Sequence, residues 1–234
     1  MNCLAWNCRG SGNPQTVREI KNLLRDRRCE VCFISETKDH SMPNQDRFDT
    51  LNLPNSFFVP AIGQSGGLWL GWSDNIDLEI LDFSNRFIST VIKDSPPGSE
   101  WLCTFTYGHP DHSKRHELWE SLSSIANTIN KPWVIMGDLN EITTQSDRIG
   151  GNPYNPADNK YFSDFILNTG TIDLGFDGVP FTWCNNQFGN NGIRLQRQRL
   201  DRALANCDWR TLFPNARVVN LPITKFSDHS PMVV

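Results

Sequence analysis

The stretch Trp133-Val134-Ile135-Met136-Gly137-Asp138-Leu139-Asn140 decides how this chain is read. Pro132 ends the amphipathic segment before it, four apolar residues follow, and they run directly into two polar side chains. So short a run, apolar at successive positions and so on both faces, predicts a strand deep in a sheet. Asp138 and Asn140 then stand at the rim of that sheet, where a carboxylate is costly unless it meets solvent or a partner. The pattern recurs outward in both directions. Asn7 closes a strand read over residues 2–8, and Glu36 follows an apolar strand over 31–34. Tyr107 and His109 follow a strand over 101–105, Asp228 and His229 precede one over 230–234, and Asp201 lies in Arg199-Leu200-Asp201-Arg202.

Between these points the chain alternates strands and helices. Gly10-Ser11-Gly12 breaks the first strand, Asn13 offers a helix cap, and Pro14 suits the first helical position. Val17, Ile20, Leu23 and Leu24 then recur at helical spacing. Residues 57–62, 68–72, 76–81, 87–92 and 101–105 read as strands. Gly66-Gly67, Ser73-Asp74-Asn75 and Pro96-Pro97-Gly98 supply turns close enough for antiparallel hairpins. Leu118, Leu122, Ile125 and Ile129 form the stripe of a second helix. Residues 143–160 read as a long surface loop, 161–166 as a short helix, 181–183 as a strand and 185–191 as a polar hairpin tip. A helix over 208–213 and a strand over 218–223 follow. With no linker or repeat, the expectation is one domain, 1–234, of layered α/β packing around two sheets.

Composition narrows the function. The 234 residues include 14 Phe and 8 Trp, an apolar load that a disordered chain does not carry. Lys and Arg number 22 against 26 Asp and Glu, a net charge of -4, which excludes binding driven by a strongly basic surface. No apolar run approaches the ~20 residues of a membrane span. The first residues carry no basic leader, so an intracellular, non-secreted protein in the nucleus or cytoplasm is expected, with no membrane partner. The seven cysteines, Cys29 and Cys32 among them, read as reduced core residues rather than a zinc site.

Six motifs stand in order: Trp6-Asn7-Cys8-Arg9-Gly10, Ser35-Glu36-Thr37, Tyr107-Gly108-His109-Pro110, Gly137-Asp138-Leu139-Asn140, Arg199-Leu200-Asp201-Arg202 and Ser227-Asp228-His229-Ser230-Pro231. With them the chain resembles the endonuclease/exonuclease/phosphatase superfamily. Within it, the chain is most like the apurinic-endonuclease-like domain of plant LINE-type, non-LTR retrotransposons. The resemblance implies a four-layer α/β sandwich of the DNase I-like kind, two central, mostly antiparallel β-sheets flanked by helices. It implies Mg²⁺, with Mn²⁺ as the alternative, held by Glu36 with Asn7 and Asp228 nearby. Asp138 would orient or deprotonate the attacking water, and Asn140 would hold that water or a phosphate oxygen. Asp201 would pair with His229, whose imidazole would meet the scissile phosphate, and Tyr107 would touch the same group. The expected products are a 3′-hydroxyl and a 5′-phosphate.

Around this site Arg9, His109, Arg199 and Arg202 are candidates for phosphate contact. Arg9 stands where many apurinic-site repair enzymes carry an acidic residue beside the metal. Arg194, Arg197, Arg199 and Arg202 form a basic concentration that reads either as a phosphate-backbone contact or as a solvated hairpin face. His109, His112 and His116, beside Lys114 and Arg115, read as a solvated cap region. Taken singly, Asp138-Leu139-Asn140 and Ser227-Asp228-His229 are ordinary turn sequences. The leading expectation is a Mg²⁺-dependent endonuclease that nicks DNA, duplex by preference and acting as a monomer. Two alternatives stay open: a phosphatase or small-molecule phosphodiesterase, and a nucleic-acid- or protein-binding domain whose catalysis has decayed. A truncated C-terminus also stays open.

Overall fold

The computed structural model describes residues 1–41, 46–63, 65–189 and 192–234. Strands β1 (Cys3–Asn7) and β2 (Val31–Ser35) lie parallel and are joined by helix α1 (Pro14–Arg27). Asn13 caps that helix, its side chain accepting from the Gln15 amide at 2.9 Å, and Pro14 takes the first turn. After the single turn α2 (Asp46–Asp49) come β3 (Asn55–Ile62) and β4 (Ser65–Trp72), a hairpin whose second strand pairs with β2. Strands β5 (Asp77–Phe83), β6 (Phe87–Lys93) and β7 (Glu100–Tyr107) form an antiparallel meander. Helix α3 (His116–Thr128) crosses to β8 (Trp133–Asp138), which runs parallel to β7.

The second half adds β9 (Arg148–Ile149), α4 (Lys160–Thr169), β10 (Ile172–Asp173) and β11 (Asp177–Gly178). The hairpin β12 (Trp183–Gly189) and β13 (Gly192–Gln198) follows, then β14 (Asp201–Ala205), α5 (Cys207–Leu212), β15 (Val219–Asn220) and β16 (Met232–Val233). One sheet has seven strands in the order β11-β15-β16-β1-β2-β4-β3, and the other has six in the order β10-β14-β8-β7-β6-β5. A small third sheet, β12-β13-β9, stands beside them.

Side-chain alternation explains the layering. Ala5, Phe33, Leu68 and Leu70 of the first sheet meet Ile88, Phe105, Val134, Met136 and Ala203 of the second in one buried cluster. Phe33 and Phe105 stack across the gap with centroids 5.3 Å apart. The opposite face of the first sheet, through Leu4, Cys32 and Ile34, packs on Val17, Ile20 and Leu24 of α1. The outer face of the second, through Leu102, Ile135 and Leu204, packs on α3 and α4. The result is the expected sandwich of helix, sheet, sheet and helix.

The structure departs from the sequence reading in several places. Asp201–Ala205 is a central strand, although Asp-Arg-Ala-Leu-Ala carries no strand pattern of its own. Pairing with β8 along its whole length decides it. The strand read over 218–223 shrinks to Val219–Asn220, and residues 143–160 hold 3₁₀ turns and a short strand rather than plain loop. The helix Asp46–Asp49 is an addition. Positions 190 and 191 of the expected hairpin tip lie outside the described residues. Among the described residues no helix is long and apolar enough to cross a membrane.

Candidate active site

The ends of β1, β2, β7, β8 and β14 meet at one edge of the paired sheets. Register fixes the meeting: Asn7 is opposite Ser35, Tyr107 opposite Asp138, and Asp138 opposite Asp201. Glycine permits the close approach. A Cβ on Gly137, where φ is +135°, would lie 2.3 Å from the Thr106 carbonyl oxygen. One on Gly108 would lie 2.1 Å from that of Leu139. The residues just past the strands take strained backbone. Arg9, Glu36 and Asn140 all adopt left-handed conformations, at φ 53°, 53° and 54°. Such conformations cost about 1–3 kcal/mol each for residues other than glycine and cluster at functional sites.

The side chains form one network. The Asn7 amide donates to Glu36 Oε1 at 3.1 Å and to Asp138 Oδ2 at 2.9 Å. The Tyr107 hydroxyl donates to Glu36 Oε1 at 2.9 Å. Asp138 also accepts from the Asn140 backbone amide at 3.0 Å and from its side chain at 3.3 Å. The Asn140 side chain is held in turn by the Gly108 carbonyl at 2.8 Å.

His229 lies between two carboxylates. Its Nδ1 is 3.1 Å from Asp201 Oδ2 and its Nε2 is 3.7 Å from Asp138 Oδ2. Burial works against the imidazolium, but the charges of Asp138 and Asp201 and the bond to Asp201 outweigh it, pushing the pKa up to about 9. Both ring nitrogens then carry protons. Burial raises Asp138 above the ordinary carboxylate range; the neighbouring Asp201 charge adds to this, and His229 offsets only part of it. Burial, with the charges of Glu36 and Asp138, likewise raises the Tyr107 phenol, so the hydroxyl stays protonated and able to donate.

The His229 loop is latched from several sides. Ser227 Oγ donates to the Asn7 carbonyl at 2.7 Å and accepts from the His229 amide at 3.0 Å. Trp6 Nε1 donates to the His229 carbonyl at 3.0 Å, and Trp183 Nε1 to Asp228 at 3.0 Å. Thr182 Oγ1 accepts from the amides of Leu200 and Asp201, fixing the start of β14.

The sequence pattern of the Endonuclease/Exonuclease/phosphatase family matches residues 4–229, a span containing every group just described. The chain belongs to this family. Among solved structures, the endonuclease domain of TRAS1, a telomere-specific non-LTR retrotransposon, superposes with a TM-score of 0.71 at 15% identity, covering 99% of this chain and 96% of that one. An AP endonuclease from Archaeoglobus fulgidus gives 0.73 at 15% identity, covering 100% and 98%. The 3′ phosphatase NExo from Neisseria, bound to product DNA hairpin, gives 0.68 at 17% identity, covering 100% and 98%. At these identities the likeness is one of fold. No curated protein sequence gave a match.

The remaining candidates of this endonuclease/exonuclease/phosphatase chain fall in different places. Arg9 forms an ion pair with Asp228, and its Nε lies 3.9 Å from Glu36 Oε2, so both belong to the cluster. His109 stands outside it, half-buried, its Nδ1 accepting from the Asp111 amide at 2.9 Å. Arg199 and Arg202, expected at a phosphate, are paired with acids on another face. Arg202 is fully buried with its guanidinium 2.6 Å from both Asp147 and Asp173, while Arg199 bonds Asp173 at 2.6 Å. Arg202 has no surface to offer a phosphate and Arg199 has little, because Asp147 and Asp173 already take their charge. Arg197 is exposed on β13, and the side chain of Arg194 lies outside the described residues. His112 faces the Asp158 carbonyl and His116 the Ser113 carbonyl.

The sequence reading missed three supports, Thr182, Trp183 and Arg86. Arg86 lies over the Tyr107 ring at 5.2 Å with one guanidinium nitrogen buried and lacking a hydrogen-bond partner among the described residues. No spacing in the sequence links any of them to the site.

The family implies a divalent metal, and the donor set fits one. Asp138, Asp201 and His229 each place a ligand atom within 4.8 Å of the others, a grouping that could hold an ion only once the imidazole has given up a proton. Glu36 and Asp228, on the same edge, offer carboxylate oxygens of the kind that Mg²⁺ prefers. Asp228 Oδ1, moreover, is buried without a hydrogen-bond partner among the described residues, the condition of a carboxylate oxygen with ligand capacity to spare.

Proposed function

We propose that this chain is a metal-dependent phosphodiester hydrolase that nicks duplex DNA, descended from the endonuclease domain of a non-LTR retrotransposon and acting inside the cell as a monomer. The observation that carries the proposal is the imidazole of His229 held between Asp138 and Asp201 at a sheet edge shared with Glu36, Asn7 and Tyr107. Its likeness to a retrotransposon endonuclease domain supports the choice of substrate and origin.

Hydrolysis requires water to attack phosphorus as the bond to the leaving oxygen breaks. Asp138, whose proton affinity burial raises above that of an ordinary carboxylate, is the group to accept the water's proton. Asn7 and Asn140 fix its two oxygens, leaving its orientation little freedom. His229, protonated at neutral pH, donates to a non-bridging phosphate oxygen, where negative charge grows in the transition state. Asp201 keeps that charge in place, and Tyr107 supplies a second neutral donor. Glu36 and Asp228, with Asn7 alongside, would hold Mg²⁺ or Mn²⁺. Such an ion, when bound, neutralises charge on the phosphate and the departing oxygen.

An end-labelled duplex oligonucleotide incubated with Mg²⁺ or with EDTA tests this reading. Cleavage confined to Mg²⁺, leaving 3′-hydroxyl and 5′-phosphate ends, is the expected result. Release of inorganic phosphate from a phosphomonoester with the duplex left whole would replace it with the phosphatase reading. No turnover of either substrate by folded protein would leave a binding domain.

A further inference from the structure

Four carboxylates, Glu36, Asp138, Asp201 and Asp228, converge on this edge. Among the described residues the only Lys, Arg or His side chains within ion-pair distance of them are His229 and Arg9. The two cations divide the site. His229 serves Asp138 and Asp201, whereas Arg9 spans Asp228 and Glu36, the two carboxylates to which the proposed function gives the metal. A guanidinium and a Mg²⁺ ion cannot both occupy the gap between those oxygens, since each needs the same lone pairs and they repel one another.

Arg9 is built to stay there and yet able to leave. Its backbone amide donates to Asn7 Oδ1 at 3.2 Å, and its left-handed φ of 53° turns the chain at the end of β1. The side chain is nonetheless 48% exposed, against 13% for Glu36 and 23% for Asp228. A phosphate arriving at the site presents charged oxygens matched to a guanidinium fork.

We infer that Arg9 is the resident cation of the substrate-free site, occupying the Glu36–Asp228 gap until a substrate phosphate draws it away and opens the gap to the metal. The inference rests on the phosphoester reading of the site. It makes metal and phosphate binding cooperative, and reciprocally so: each tightens the other by the same factor.

Calorimetric titration of Mg²⁺ into metal-stripped protein, with and without inorganic phosphate, tests it without turnover. Wild type is compared with Arg9→Gln and with Arg9→Gly, the latter suited to the left-handed backbone; circular dichroism checks the fold of each. Both neutral variants are expected to bind Mg²⁺ at least about tenfold more tightly than wild type when phosphate is absent. Phosphate should tighten Mg²⁺ binding in wild type by a larger factor than in either variant. Mg²⁺ affinity in either folded variant no greater than in wild type overturns the inference. So does a phosphate effect of equal size in all three proteins. Failure of wild type to cut DNA would sink the nuclease reading and leave these titrations to stand or fall on their own.

Discussion

Strand β14 carries buried charge on both faces, and the two clusters are neutralised differently. Asp201 and Arg202 are neighbours and so point opposite ways. Arg202 points to the outer face of its sheet, where it and Arg199 meet Asp147 and Asp173, two cations against two anions. Burial works against both carboxylates, yet the guanidinium groups hold Asp147 and Asp173 below the ordinary range. Asp201 points inward to His229, on a face where carboxylates outnumber cations. There burial and Asp201 raise Asp138 instead. A buried carboxylate matched by its own cation is structural, and its proton affinity is driven down. One left short of positive charge is ready to take a proton, and its cluster is ready to take a cation.

That contrast can be broken most forcefully at Asp138. Asp138→Asn should cut nicking by about 10³-fold while changing unfolding stability by less than about 1 kcal/mol, since it removes an under-compensated charge. Denaturant titration beside the activity assay checks both halves. The opposite signature belongs to the other face. Arg202→Met should cost about 3–5 kcal/mol of stability by leaving Asp147 and Asp173 uncompensated, with nicking per folded molecule reduced less than tenfold. A large activity loss in folded Arg202→Met would return this arginine to the active site.

The pH dependence sharpens the comparison further. His229 is raised from 6.5 to about 9 in the folded protein, so its stabilising contribution is complete below about 6.5 and lost as pH climbs through 9. Wild-type stability should therefore fall over that interval, by roughly 1–3 kcal/mol. His229→Asn should flatten the profile. Asp138 titrates lower and does not mask the effect. An unchanged slope in the variant would mean that the imidazolium is not held between the acids. The smallest change touches neither cluster: Asn13→Ala removes the α1 cap and should cost about 1 kcal/mol at every pH with nicking intact.

Much of this was legible in the sequence, for identifiable reasons. The apolar runs at 31–34 and 133–136 and the capped helix after Asn13 have local causes, and the structure keeps them. The polar residues that follow strands converge because strand ends must share an edge once the sheets pair. Strand β14 was not legible, because Ala203, Leu204 and Ala205 favour a helix as readily as a strand and only the pairing with β8 decides. Nor was the sorting of the arginines. Arg9 and Arg202 look equally free as letters. One meets Asp228 across 219 positions and the other meets Asp147 on a 3₁₀ turn and Asp173 on β10, and nothing local encodes either pairing.

The central claim is that the under-neutralised face of β14 is a phosphodiester-cleaving centre. The most direct measurement incubates supercoiled plasmid with purified wild type and with Asp138→Asn, each in Mg²⁺ and in EDTA. The account predicts relaxed circles with wild type in Mg²⁺ alone. Equal nicking by the folded variant, or nicking that survives EDTA, would contradict it.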